Sequence, residues 1–390
     1  MFNIDLDYIL LNLLLLWGFA HYGNKIAKGE NFWYNALPCI ILFTIIQGCR
    51  YLRGNDYIHY TNIFKGDIPE TTGILFLATN KIAKFIGFNE YSIFIVYAFF
   101  FIYCSMFLLK QYRQYAKWAF PLFIISFMYF EEYMIRQAYS FSFFFLYLHS
   151  LFNIQSINIK NIILKNKKNI LYCLVWATIC INIHSANIIN ILIITFLYLF
   201  IRKPLHYNIT IPIYIVCVYV LPKIFNYTYL QPILNLFADK NELANTYIEN
   251  TDYWFSAEGH NNIYTRNVII QIFEVFGVSS LLYLGYKTVL SIPKLKFINS
   301  TMLNIFFIGI SFQSLFRNLE ILNRIGYIMS LFWCFILAVV LYYKPNKLSK
   351  IDTIAYFCLI WFIYTFIRYL ITPGKMVLFI WDAPNIVHFF

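Results

Sequence analysis

Long apolar runs alternate along the chain with short polar gaps. Twelve of the runs predict spanning helices, at about 6–22, 35–51, 90–110, 115–131, 135–153, 169–184, 186–201, 207–225, 266–288, 298–316, 323–343 and 351–371. A helix that crosses a bilayer needs roughly 17–25 mostly apolar residues, because its backbone polar groups must be satisfied internally. A further segment, 73–88, is interrupted by Lys81 and Lys84. That spacing suits an interfacial or re-entrant helix better than a span. No soluble domain, Gly/Ser linker or repeat breaks the pattern. The expectation is one membrane domain over 1–390, with a polar loop at 49–72 and a longer one at 226–265. The predicted class is an all-α polytopic membrane protein with about 12 spans and one interfacial or re-entrant helix.

Composition sharpens this. The residues are 61% hydrophobic, 21% aromatic and 12% charged, against about 25% charged in an average soluble domain. A water-soluble chain of 390 residues could not bury that much apolar surface, so lipid must serve as part of its solvent. The net charge of +12 does not indicate nucleic acid, because the lysines and arginines fall in alternate short gaps. Those gaps hold Lys25/Lys28, Lys110/Arg113/Lys117, Lys160/Lys165/Lys167/Lys168, Arg202/Lys203, Lys287/Lys294/Lys296 and Lys344/Lys347/Lys350. They carry 17 basic residues against Glu30 and Asp352, whereas the rest of the chain has 13 basic and 16 acidic residues. The positive-inside rule makes the basic gaps cytoplasmic. Both termini and the two loops then face outward, away from ATP and nucleotide sugars. Met1–Asp7 has no basic n-region, so no cleavable signal is expected. The eight cysteines form no CxxC pair and read as small hydrophobes, not metal ligands or disulfides.

Four polar clusters fall on the outer side. The first is Arg53-Gly54-Asn55-Asp56-Tyr57 with Tyr60. An arginine beside an aspartate can bind a phosphate while the carboxylate orients a sugar hydroxyl. The bland reading is an interfacial anchor of snorkelling arginine and belt tyrosines, which requires neither the glycine nor the aspartate. The second is Glu131-Glu132-Tyr133 followed by Arg136-Gln137 at the start of a helix, where arginine and helix dipole together favour an anion. The same glutamates can instead pair with Arg136 as a surface salt bridge. The third is "INIHSAN", Ile181 to Asn187, which places His184 where two apolar runs meet. Histidine is the readiest proton acceptor near neutral pH, and the alternative is a histidine bonded within the bundle. His149, on the cytoplasmic half of its helix, reads as structural. The fourth is Arg317, Glu320, Arg324 and Tyr327, spaced 3, 4 and 3, which would share one face if the segment is helical. Glu320 would then hold one arginine and leave the other for an anion. The outer loop adds Tyr253, Trp254 and His260, whose aromatic faces suit sugar rings or, alternatively, the face of a helix lying on the bilayer. None of these clusters has DxD or HExxH spacing, and no GxSxG or P-loop occurs. Several arginines without a metal motif point to a diphosphate neutralised by side chains.

"RYLRGNDYIHYTNIF" resembles the arginine–glycine–x–aspartate–tyrosine motif after the second helix of the EpsG-type polysaccharide polymerases, a Wzy-like family. "YMIRQAYSFSFFFL" resembles that family's arginine–glutamine helix start, "ICINIHSANIINILI" its histidine–serine element and "LNRIGYIMSLF" its late arginine–x–x–tyrosine. The four matches fall in order and cover most of the chain. The tail "WDAPNIVHFF" departs from the proline–tyrosine often found near the family's last helix, and no role is carried over to it. The resemblance implies a GT-C-like, metal-independent glycosyltransferase without a cofactor in a bacterial inner membrane, its site facing the periplasm or exterior. It would transfer a growing glycan from one undecaprenyl diphosphate to a new lipid-linked repeat unit, making O-antigen, capsule or exopolysaccharide, alongside a flippase and a chain-length regulator. On that reading Arg136 and Arg324 stabilise the leaving diphosphate, with Arg53 as a third contact. His184 is the first candidate base and Asp56 the second. Asn55, Tyr57, Tyr60, Glu132, Gln137, Arg317, Glu320 and Tyr327 line the substrate site.

Three rivals come from other classes. A flippase or secondary transporter favours Gly- and Pro-broken helices and charges near mid-bilayer. This chain has only 14 glycines and keeps most charges at one lip, with Glu274 as the exception. An O-antigen ligase usually carries a larger outer domain. A membrane acyltransferase would draw acyl-CoA from the inside, where His206 is the one histidine at a lip.

Overall fold

The structure is a computed structural model, and it describes residues 6–54, 56–69, 73–154, 166–224, 267–291, 296–317, 320–343, 348–371 and 378–379. The first helices are α1 (Leu6–Ala27), α2 (Phe32–Gly48), α3 (Tyr57–Lys65), α4 (Ile74–Ile86), α5 (Ile93–Gln111), α6 (Ala116–Tyr133) and α7 (Ile135–Phe152). They continue with α8 (Lys167–Ile183), α9 (Asn187–Phe200), α10 (Tyr207–Tyr219), α11 (Leu221–Ile224) and α12 (Val268–Ser291). The last are α13 (Lys296–Leu315), α14 (Glu320–Ser330), α15 (Trp333–Tyr342), α16 (Lys350–Cys358) and α17 (Ile360–Ile371). Two-residue strands, β1 (Arg50–Tyr51) and β2 (Leu378–Phe379), pair antiparallel, Arg50 with Phe379 and Tyr51 with Leu378.

Among the described residues, six segments are long and apolar enough to cross a membrane: Ile93–Gln111, Tyr207–Ile224, Val268–Ser291, Phe297–Leu315, Leu322–Tyr342 and Lys350–Ile371. The chain is therefore an all-α, multi-pass membrane protein. Several predicted runs are broken rather than continuous. The run 207–225 divides at Val220, beside Pro222, which has no N–H to bond back along the helix. The run 323–343 divides at Leu331–Phe332, and 351–371 divides at Leu359. Helix α3 was not foreseen, because its nine residues mix apolar and polar positions too evenly to stand out from a loop.

The chain forms two compact units. Unit 1 takes in 1–196, 337–344 and 363–390, and unit 2 takes in 197–336 and 345–362. In unit 1, α1 packs between α2 and α6, α2 packs on α5, α5 on α7, and α7 on α8. Its core is aromatic: Phe101 meets Phe43, Phe123, Phe127, Phe130 and Phe145 at centroid distances of 5.6 to 6.4 Å. Ring pairs at that separation add to the burial of their large apolar surfaces. Helix α4 buries Phe76, Asn80 and Ala83, spaced at helical intervals, and leaves Ile74, Ile82, Phe85 and Ile86 exposed. In unit 2, α12 exposes Ile269, Phe273 and Phe276 along one face while burying Gly277, Leu281 and Leu284. An apolar exposed stripe of this kind is a surface for lipid tails. All eight cysteines are free thiols, buried or half-buried.

Candidate functional site

The polar stretch after α2 turns its arginines inward. Helix α2 ends at Cys49, whose N–H donates to the Ile45 carbonyl. Leu52 then takes φ +51° and Gly54 φ +99°, so two left-handed residues flank Arg53. A side-chain-bearing residue at positive φ is costly and persists only where its surroundings hold it. Here the surroundings are two buried ion pairs. Arg50 is fully buried and bidentate on Glu131, with Nη2 2.7 Å from Oε1 and Nη1 3.3 Å from Oε2, and Nη1 also donates to the Glu131 carbonyl. Arg53, 1% exposed, has Nε 3.5 Å from Glu132 Oε1. Its Nη2 donates to the Ile46 carbonyl at 2.9 Å and to Gln47 Oε1 at 3.0 Å. The Ile46 carbonyl lies in the last turn of α2, so Arg53 meets the negative end of that helix. Burial, the largest single influence, would lower the Arg53 pKa, yet Glu132, Tyr8, Tyr369 and Glu131 together outweigh it and hold the guanidinium above its ordinary value. Tyr8 completes the cluster: its hydroxyl lies 3.2 Å from Glu132 Oε2 and 2.5 Å from the Tyr369 hydroxyl.

This geometry corrects part of the sequence reading. Arg53 and Glu132, expected to contact substrate, are turned on each other and on α2. Tyr57 is also buried, stacked on Phe94 at 4.3 Å with its hydroxyl donating to the Arg50 carbonyl. Gln137 is 7% exposed. The side chains of Arg53, Glu132 and Tyr57 are thus held by partners inside the fold. Asp56, at the N-cap of α3, and Tyr60, edge-on to Phe76, are half-buried.

Arg136 is placed differently. Helices α6 and α7 meet at a sharp bend at Met134 (φ −115°, ψ 57°), and Arg136 follows in the first turn of α7, half-buried. Its Nε donates to the Ile183 carbonyl at 2.9 Å, and its guanidinium lies 5.5 Å over the Phe76 ring. Gly73, just before α4, has φ +77°. A Cβ there would lie 2.6 Å from Arg136 Nη2 and 2.8 Å from the Ile183 carbonyl. The N-termini of α4 and α7 and the C-terminus of α8 therefore meet at Arg136. His184 is the next residue after Ile183, extended (φ −149°, ψ 102°) and half-buried. Unit 1 thus pairs Arg53 with Glu132 and, separately, Arg136 with the Ile183 carbonyl beside His184.

Gly73 supplies a direct test. Gly73→Ala and Gly87→Ala both force a Cβ onto positive φ, and each is expected to lose about 1 kcal/mol of stability. At Gly87 (φ +103°) nothing lies within 4 Å, so only Gly73→Ala displaces the arginine. A lower activity per folded protein in Gly73→Ala than in Gly87→Ala is the expected outcome, read from membrane blots and an activity assay.

Unit 2 holds the fourth cluster. Helix α14 crosses α13 closely, with Gly326 against the Gln313 backbone and the Gly309 carbonyl. Arg324 and Tyr327 lie on α14, both half-buried. Arg317 sits in the turn after α13, so it does not share the helix that carries Arg324 and Tyr327. Asn55, Tyr253, Trp254 and His260 lie outside the described residues. The sequence reading missed Arg50, Tyr8 and Tyr369, and it offered Glu131 only Arg136 as a partner, where the structure gives it Arg50. The signal was available for Arg50 and Glu131, which stand beside the chosen residues, but nothing local joins positions 81 apart.

Apolar helices that meet at a half-buried arginine near a histidine define the class: a multi-pass membrane protein with a polar region built on helix ends. The EpsG family model matches residues 33–380, and the chain belongs to that family, which comprises Wzy-like polymerases of surface polysaccharide. No curated protein matches the chain, and no solved structure does.

Proposed function

We propose that this chain polymerises undecaprenyl-diphosphate-linked oligosaccharide repeat units by glycosyl transfer, on the outer face of the bacterial cytoplasmic membrane, through a GT-C-like domain of about 12 spans without a metal. The observation that carries the reading is Arg136. A half-buried guanidinium at the meeting of two helix N-termini, its Nε held by the Ile183 carbonyl, suits a diphosphate. In the proposed step a hydroxyl of the acceptor unit attacks the anomeric carbon of the growing chain, and the bond from that carbon to the diphosphate oxygen breaks. Its electron pair leaves on the diphosphate, where arginine stabilises the growing charge. The hydroxyl proton passes to a base in reach, His184 first and Asp56 second. Arg324 keeps the role of an anion-binding arginine on the strength of the family resemblance alone. Arg53 and Glu132 act from behind, shaping the loop that ends at Asp56.

A surface-glycan gel from a strain lacking the gene tests the reading. Loss of a polymerase leaves exported single repeat units. Loss of a flippase leaves none exported, and that result would overturn the proposal.

A further inference from the structure

We infer that Ser140 and Asn187 are positioning residues that fix the His184 bend on α7, an inference that rests on His184 being the base. The Ser140 hydroxyl, fully buried one turn after Arg136, donates to the Cys180 carbonyl at 2.7 Å. That same carbonyl accepts the His184 N–H at 3.0 Å. On the far side of the bend, Asn187 opens α9 and donates its Nδ2 to the Ser140 hydroxyl at 2.8 Å, while Asn190 donates to Asn187 Oδ1 at 3.2 Å. One hydroxyl therefore ties down the residues on both sides of 184–186, and Arg136 holds Ile183 between them. These contacts leave the three-residue bend little freedom, which is what a base in a near-attack geometry requires.

Ser142 provides the reference. It is equally buried on the same helix, but its hydroxyl donates to the Ala138 carbonyl of α7 itself at 3.4 Å. The test uses full-length protein in liposomes, with lipid-linked repeat units extracted from the deletion strain as substrate. Ser140→Ala and Asn187→Ala are expected to lower kcat by about tenfold or more with KM little changed, since a misplacement of about 1 Å can cost as much as a hundredfold. Ser142→Ala is expected to keep both. Parental kcat in Ser140→Ala and Asn187→Ala, or a loss shared equally by Ser142→Ala, would overturn the inference. His184→Ala separates the two levels. If it retains full activity, the base assignment itself is wrong. If it is inactive while Ser140→Ala and Asn187→Ala are normal, only the positioning fails.

Discussion

Arg136→Lys is expected to shift long polysaccharide toward single repeat units although the positive charge is kept. Lysine offers a point charge on a flexible stem, whereas the guanidinium grips two phosphate oxygens in one plane. The structure adds a second reason. Arg136 Nε is committed to the Ile183 carbonyl, which orients the rest of the fork, and lysine has no group at that position. Losing one such contact to a developing charge costs on the order of 3 kcal/mol, or about a hundredfold in rate. Arg324→Lys is expected to act in the same direction. Lys81→Arg and Lys84→Arg provide the comparison, because both side chains are exposed, and Lys84 reaches the Lys65 carbonyl at 3.3 Å and lies 5.0 Å over the Phe64 ring, contacts that arginine can also make. They are expected to leave chain length unchanged. The measurement is a glycan ladder normalised to protein in the same membranes, and a normal ladder from well-expressed Arg136→Lys would remove the reason for placing a diphosphate there.

What could be read from the sequence follows how local each feature is. Runs of apolar residues give helices within a few residues of their ends, as at 135–153 against Ile135–Phe152, because burial in lipid depends on composition over one turn after another. The Arg136 and His184 elements were legible for the same reason: each sits at a break between two runs. The destination of a side chain is not local. Arg53, with its glycine and aspartate, looks like a ligand-binding arginine, and only the meeting of α1, α2 and α6 shows it spent on Glu132, Gln47 and Ile46. The spacing of Arg317, Glu320, Arg324 and Tyr327 fits a helix as a pattern, yet α13 ends at Leu315 before the first of them. Periodicity specifies a face only where the backbone is continuous.

The second large effect belongs to the Arg50–Glu131 pair. Both residues are essentially out of solvent, and their two oxygens and two nitrogens face each other as a fork. Arg50→Met alone leaves a carboxylate buried without its partner, which is expected to destabilise the protein by about 3–5 kcal/mol. Glu131→Leu alone strands the guanidinium and has a similar effect. The double variant Arg50→Met/Glu131→Leu removes both charges together, and replacing a buried ion pair with apolar side chains of similar volume is often neutral. Thermal unfolding in detergent should therefore show two unstable single variants and a double variant near the parent. That pattern would separate the pair's contribution to stability from its contribution to activity. The pair also anchors the start of the loop whose left-handed Leu52 and Gly54 turn Arg53 inward, with Gly54 packed on the Glu132 carbonyl. A double variant that folds but makes only single repeat units would mean that the pair holds the loop in its working shape. A double variant as unstable as either single variant would instead show that the charges themselves are needed for the fold.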